Sequence, residues 1–192
     1  VYDNILLLVN EGFNVKLNVV LMNGFNDDEI IDFIKLTKTH PLTVRFIEFM
    51  PFDGNQWNKS KIVSYEQVMK TVMSCYDVDK VIRVKDAPND TSKNYKIKNY
   101  QGSFAIISSV TNPFCDSCNR IRLTANGKLK NCLFSNNETD LLTPMRAGKL
   151  IEPMIKKAIQ SKFKVRGGMD TMAKLEQPDL HQNNRSMITI GG

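Results

Sequence analysis

The sequence predicts an α/β protein: βα units of a parallel sheet over residues 1–75, then an α+β segment with antiparallel strands over residues 76–192. Three observations carry this expectation. Helix, strand, helix and strand patterns alternate at βα spacing up to Met50; shorter strand-like runs follow one another between Val78 and Val110; and an Asn126-Gly127 pair sits between two further short runs.

Taken in order, Tyr2 to Asn10 is a helix-like apolar run that ends at Gly12. Val15 to Met22 alternates at first and then turns continuously apolar, as a buried parallel strand does, and Asn23-Gly24 closes it. A helix start is read at Asn26-Asp27-Asp28-Glu29, where acidic side chains fall in the first turn, and Ile30, Ile31, Phe33, Ile34 and Leu36 give it an apolar face up to His40-Pro41. Thr43 to Met50 is the next strand, stopped by Pro51. Residues 51–58 form a loop. Ser64 and Gln67 have the spacing of a capping box, which predicts a helix running to about Cys75.

Beyond it, strands are expected near Val78 to Lys85, Tyr95 to Ile97 and Phe104 to Val110, with a polar, mobile linker over Asp86 to Asn94. A hairpin then pairs Ile121–Thr124 with Lys128–Cys132 around the Asn-Gly turn. One helix is expected from Met145 to Ser161, followed by a basic, irregular end that closes on Gly191-Gly192.

With 42% hydrophobic and 24% charged residues, 192 residues suffice for a core in one domain or two small ones. No apolar run approaches the roughly 18 residues of a membrane span, which argues against a membrane role. The net charge of +6 suits an anionic partner or a solvated lysine-rich surface. Four cysteines, three of them in metal-like spacing, do not make a secreted disulfide framework and favour a reducing compartment. The chain opens on Val1 without an initiator Met, from which a preceding segment is expected.

Cys115 and Cys118 form a Cys-x-x-Cys turn, and Cys132 lies on the return strand of the hairpin. Such a trio is a soft-metal pocket one ligand short of closed. The spacing leaves three readings open: structural zinc with a remote fourth ligand from Cys75, His40 or His181, an iron–sulfur cube with one open iron, or cysteines that are buried or disulfide-bonded. Arg120 and Arg122, two apart on the expected strand, should face the same side and suit an anionic group. Lys16, Asn18 and Arg45 are polar residues inside strands that otherwise read as buried, so they are candidates for a ligand site. Met50 ends its strand and reads as packing on pattern alone, and Glu48 receives no role.

The combined string is more specific than its parts: Phe46-Ile47-Glu48-Phe49-Met50-Pro51-Phe52-Asp53-Gly54-Asn55, then Phe114-Cys115-Asp116-Ser117-Cys118-Asn119-Arg120-Ile121-Arg122, then Cys132-Leu133-Phe134, Asn184-Arg185-Ser186-Met187 and the Gly-Gly end. It closely resembles the molybdenum-cofactor biosynthesis protein A family, the radical S-adenosylmethionine GTP 3',8-cyclases, over essentially the whole chain and as the C-terminal part of a member. The resemblance implies the last βα units of an incomplete (β/α)6 TIM-type barrel, followed by an extension that carries a second 4Fe-4S cluster. It implies conversion of GTP to 3',8-cyclo-7,8-dihydro-GTP in molybdopterin synthesis, with S-adenosylmethionine and a further 4Fe-4S cluster in the full-length protein.

By the same resemblance Cys115, Cys118 and Cys132 are ligands of the second cluster. Lys16, Arg120, Arg122 and the backbone of Ile121 bind GTP, Asn18, Arg45 and Met50 line the S-adenosylmethionine site, and Gly191-Gly192 reaches the active site as a catalytic tail. A homodimer is possible, nucleic acid is not an expected partner, and the compartment is the mitochondrial matrix in a eukaryote or the cytoplasm in a bacterium. The family's N-terminal Cys-x-x-x-Cys-x-x-Cys motif is absent from these residues, so the chain alone is expected to be inactive in radical chemistry. Ser186 and Arg166 depart from the usual family residues outside the ligand set. Two other readings are a basic zinc-binding module for nucleic acid and a degenerate paralogue serving as a partner subunit.

Overall fold

The computed structural model describes residues 1–181 and 183–190. The chain divides into two compact units, residues 1–49 with 60–114 and residues 50–59 with the rest from 115 onward. This division does not follow a boundary at residue 75, because the third strand of the first unit's parallel ladder is supplied only at residues 103–107.

The first unit contains, in order, α1 (Tyr2–Asn10), β1 (Lys16–Leu21), α2 (Ile30–Thr39), β2 (Thr43–Glu48), α3 (Tyr65–Cys75), β3 (Val81–Arg83), β4 (Lys93–Ile97) and β5 (Ser103–Ile107). Its sheet runs β1-β2-β5-β4-β3. β1 is parallel to β2 and β2 to β5, whereas β4 is antiparallel to both β5 and β3. Sequence periodicity thus anticipated the parallel start and the antiparallel finish.

One face of the sheet is closed by α2 and α3 over a core that includes Leu21, Ile34, Val44, Phe46, Val72, Phe104 and Ile106. Burial of these side chains supplies the main driving force for this unit. α3 starts with the expected capping box: Ser64 Oγ accepts the Gln67 N–H, and Gln67 Oε1 accepts the Ser64 N–H at 2.7 Å. β1 is not buried on both sides. As an outermost strand it alternates, with Leu17, Val19 and Leu21 turned inward and Lys16, Asn18 and Val20 exposed.

The segment expected to be a mobile linker is tied by side chains. Arg83 pairs with Asp86, and Asn94 Nδ2 donates to Asp86 Oδ1 at 2.8 Å and to Asp90 Oδ2 at 2.9 Å. Glu48, which receives no role from the sequence, is buried at the end of β2. Its Oε2 accepts the N–H groups of Val110 at 2.7 Å and Thr111 at 2.9 Å, and Oε1 accepts the Thr111 hydroxyl. This fixes the backbone four residues ahead of Cys115.

The second unit contains β6 (Arg122–Leu123), β7 (Lys128–Lys130), β8 (Thr139–Asp140), α4 (Leu142–Arg146), α5 (Glu152–Gln160), α6 (Met172–Leu175) and α7 (Met187–Ile190). The three strands form an antiparallel sheet in chain order, and Leu129, Leu141 and Ala158 meet in a small core. The hairpin turns where expected, with the Gly127 N–H on the Thr124 carbonyl at 2.9 Å and Gly127 at φ +73°. Its first strand is shorter than expected and excludes Arg120.

The single helix expected over 145–161 is two. Gly148, at φ +70°, donates to the Met145 carbonyl at 3.1 Å and Lys149 donates to that of Pro144 at 3.0 Å, a Schellman stop. Pro153, which lacks an N–H, then falls in the first turn of α5, where none is needed.

Candidate cysteine site

All four cysteines are free, and Cys115, Cys118 and Cys132 are half-buried. Cys115–Ser117 form a single 3-10 turn that brings the Cys118 N–H to the Cys115 carbonyl at 3.1 Å. Hydrogen-bond donors are aimed at the sulfurs. Cys115 Sγ accepts the Arg166 backbone N–H at 3.4 Å, and Cys118 Sγ accepts Lys162 Nζ at 3.3 Å.

Burial works to raise the Cys118 thiol, but the Arg120 N–H and the Lys162 ammonium outweigh it and bring it below the ordinary thiol range. Burial instead pushes the Cys132 thiol up, against the pull of the Phe134 N–H, and the nearby Cys115 adds to the rise. Each sulfur therefore has a hydrogen-bond donor beside it, and the surroundings of Cys118 favour its thiolate. Cys132 is raised chiefly because burial penalises its thiolate, with Cys115 a smaller contributor.

The segment 162–168 organises this site and carried no signal in the sequence. Arg166, Gly167 and Gly168 all have positive φ, at 41°, 63° and 101°. A Cβ on Gly167 would come within 2.8 Å of the Ser135 nitrogen, so only glycine lets this loop lie against the turn after Cys132. Arg166 is buried and its Nη2 donates to the Asp170 carbonyl at 2.8 Å. One short stretch thus touches Cys115, Cys118 and the turn that follows Cys132.

A second buried framework holds the far side of the Cys132 loop. Lys130 is fully buried on β7, and its ammonium donates to the Ser135 carbonyl and to Asn184 Oδ1 at 2.8 Å. Burial lowers its pKa. Asn184 Nδ2 donates to the Leu133 carbonyl at 3.1 Å, and Arg185 forms a bidentate pair with Glu138 at 2.5 and 2.7 Å. The loop at 50–59 joins here as well, through the Asp53 N–H on the Asn184 carbonyl at 2.9 Å.

The other candidates fall as follows. Arg120 and Ile121 are exposed just before β6, and Arg122, half-buried, begins it, so the two arginines do not share a strand. In the first unit Asn18 and Arg45 are register partners, and Arg45 Nε donates to Asn18 Oδ1 at 2.8 Å. Lys16 precedes Asn18 by two on the same exposed face of β1. Met50 opens the second unit, where its carbonyl accepts Asn55 Nδ2 at 2.7 Å. Gly191 and Gly192 lie outside the described residues.

The remote fourth ligands weighed for zinc lie on other elements. His181 packs edge-on against Trp57 at 6.4 Å, while Cys75 ends α3 and His40 ends α2 in the other unit. Among the described residues no three His, Cys, Asp or Glu side chains are placed to hold a single metal ion, so the closed zinc site gains no support. A cube binds each thiolate through a different iron, which spaces the sulfurs more widely than one tetrahedral ion does.

A family model described as Molybdenum Cofactor Synthesis C matches residues 42–167, most of the chain and all three cysteines of the site. The chain belongs to this family. Relatives of the molybdenum-cofactor family agree. The protein is 45% identical over 185 residues to "GTP 3',8-cyclase, mitochondrial" of Arabidopsis thaliana, covering 94% of this chain and 45% of that one. It is 39% identical to the human "Molybdenum cofactor biosynthesis protein 1", covering 99% of this chain and 29% of the relative, and 36% identical to "GTP 3',8-cyclase" of Alkaliphilus oremlandii, covering 93% and 52%. The chain therefore spans about half or less of these relatives' length.

Proposed function

We propose that the chain is the GTP-binding C-terminal part of a GTP 3',8-cyclase of molybdenum-cofactor biosynthesis. The observation that carries this reading is the set of donors aimed at three free cysteines, with the Arg166 N–H on Cys115, Lys162 on Cys118 and the Phe134 N–H on Cys132, where it offsets part of the rise that burial imposes. Soft sulfur donors that receive hydrogen bonds, with Cys118 favoured as a thiolate, fit a 4Fe-4S cluster. When bound, such a cluster supplies a Lewis-acidic iron that lacks a protein ligand.

The chain's own residues bind and orient. Arg120 and Arg122, two and four residues after Cys118, offer guanidinium groups to phosphate oxygens, with the Ile121 backbone between them and Lys16 as a further cation. Holding base and triphosphate together fixes the ribose, and positioning of this kind accounts for a large part of catalysis in an ordered site. In the full-length protein, S-adenosylmethionine and a further 4Fe-4S cluster would complete the chemistry, with Asn18, Arg45 and Met50 lining the S-adenosylmethionine site. Residues 1–75 would be the last βα units of a (β/α)6 barrel, residues 76–192 the extension, and Gly191-Gly192 the catalytic tail. A homodimer and, in a eukaryote, the mitochondrial matrix belong to the same reading.

Anaerobic reconstitution followed by iron and sulfide analysis tests it. About four irons per chain, and a spectrum that changes on adding GTP, are expected. One zinc per chain and no response to GTP would overturn it.

A further inference from the structure

Lys162 follows the end of α5, where its N–H still bonds to the Ile159 carbonyl at 3.1 Å. An ammonium has three donors. Here they meet the Cys118 carbonyl at 3.2 Å, the Arg120 carbonyl at 3.1 Å and Cys118 Sγ at 3.3 Å. None of these acceptors is a carboxylate. The side chain is half-buried, and its charge is met by the two carbonyl dipoles and by the sulfurs of Cys118 and, at longer range, Cys132. The two carbonyl bonds fix the ammonium to the same turn that carries Cys118, which leaves its third hydrogen directed at the sulfur.

We propose that Lys162 is a positioning residue for the iron–sulfur site, holding the Cys118 turn in place and raising the cluster's reduction potential through its charged hydrogen bond to Cys118. The inference rests on the cluster reading above. Adding an electron makes a thiolate-bound cluster more negative, and a fixed cation with an N–H directed at one of its sulfurs stabilises the reduced form more than the oxidised one. The Arg166 N–H on Cys115 acts in the same sense through the backbone, so side-chain substitution leaves it in place. Lys162 is therefore the donor in this shell that can be removed alone.

The test is a redox titration with dithionite, followed by electron paramagnetic resonance, on the whole reconstituted chain and on Lys162→Met and Lys162→Arg. Iron and sulfide are measured in each sample. A midpoint more negative in Lys162→Met than in wild type, and largely restored in Lys162→Arg, is the expected result. Should Lys162→Met lose the cluster, Lys162→Gln keeps a neutral donor and serves as the comparison, with a midpoint again below wild type expected. A cluster retained at the wild-type midpoint in the neutral variant overturns the inference and leaves the cluster reading standing. A wild-type chain that takes up no iron and sulfide overturns both.

Discussion

Lys130 Nζ donates to Asn184 Oδ1 at 2.8 Å across 54 residues of sequence, joining the strand before Cys132 to the chain near its C-terminal end. Both residues are fully buried. Asn184→Ala removes a partner from a buried ammonium and should cost about 2–3 kcal/mol. Lys130→Met removes the charge but leaves Asn184 Oδ1 and the Ser135 carbonyl, both buried, without their donor, so it too should cost about 2–3 kcal/mol. Urea unfolding of the two variants measures both losses; a Lys130→Met variant as stable as wild type would contradict this account.

Gly167→Ala should destabilise the second unit by about 1–3 kcal/mol, since the new side chain would face both a positive φ and the Ser135 backbone. The same substitution should lower the iron retained after desalting of the reconstituted chain. Thermal melting and iron analysis of one preparation would check both effects.

Burial raises the Glu48 carboxyl, although the N–H groups and hydroxyl from Val110 and Thr111 pull against it. The folded state then holds this proton more tightly than the unfolded chain does. Stability should fall as pH rises from the ordinary value of 4.5 through the raised folded value, and level off above it. Glu48→Ala should abolish that slope and cost about 2–3 kcal/mol, because two backbone N–H groups lose their acceptor. Chemical unfolding at a series of pH values measures the slope and the loss together.

Asp86 behaves in the opposite sense. The Arg83 hydrogen bond holds its carboxyl down at about 2, against some desolvation and with help from Asn94. Its contribution is fully present above the ordinary 3.8 and is lost as pH falls through about 2. Solvent screens this half-exposed pair, so Asp86→Asn should cost no more than about 1 kcal/mol at neutral pH. Acid titration of stability in the variant should be flatter below pH 4 than in wild type.

Where short-range rules act, the sequence could be read. The Ser64 and Gln67 pair predicted the start of α3, and Ser64→Ala should cost about 1 kcal/mol in a thermal melt. Asn126-Gly127 predicted the hairpin, and the three cysteines marked the site, because spacing and turn chemistry are local properties. Its supports could not be read in the same way. Lys162 sits in a run of basic residues with no mark to separate it from Lys164, and Lys130 looks like an ordinary strand lysine beside Lys128. Glu48 finds its partners 62 and 63 residues away. The split between α4 and α5 was legible in principle, since Gly148 and Pro153 together are a stop and a start, but the apolar periodicity runs across them.

Among the described residues β1 pairs with another strand on one side only, and its Val20 carbonyl accepts Asn26 Nδ2 at 3.0 Å. Along its other edge, among the described residues, the strand presents ladder groups that a strand from another molecule can satisfy, and the half-exposed Val20 adds apolar surface beside them. Lys16 is the charge that makes such a meeting repulsive. Added salt weakens that repulsion without filling the edge, so the chain should self-associate at lower protein concentration as ionic strength rises.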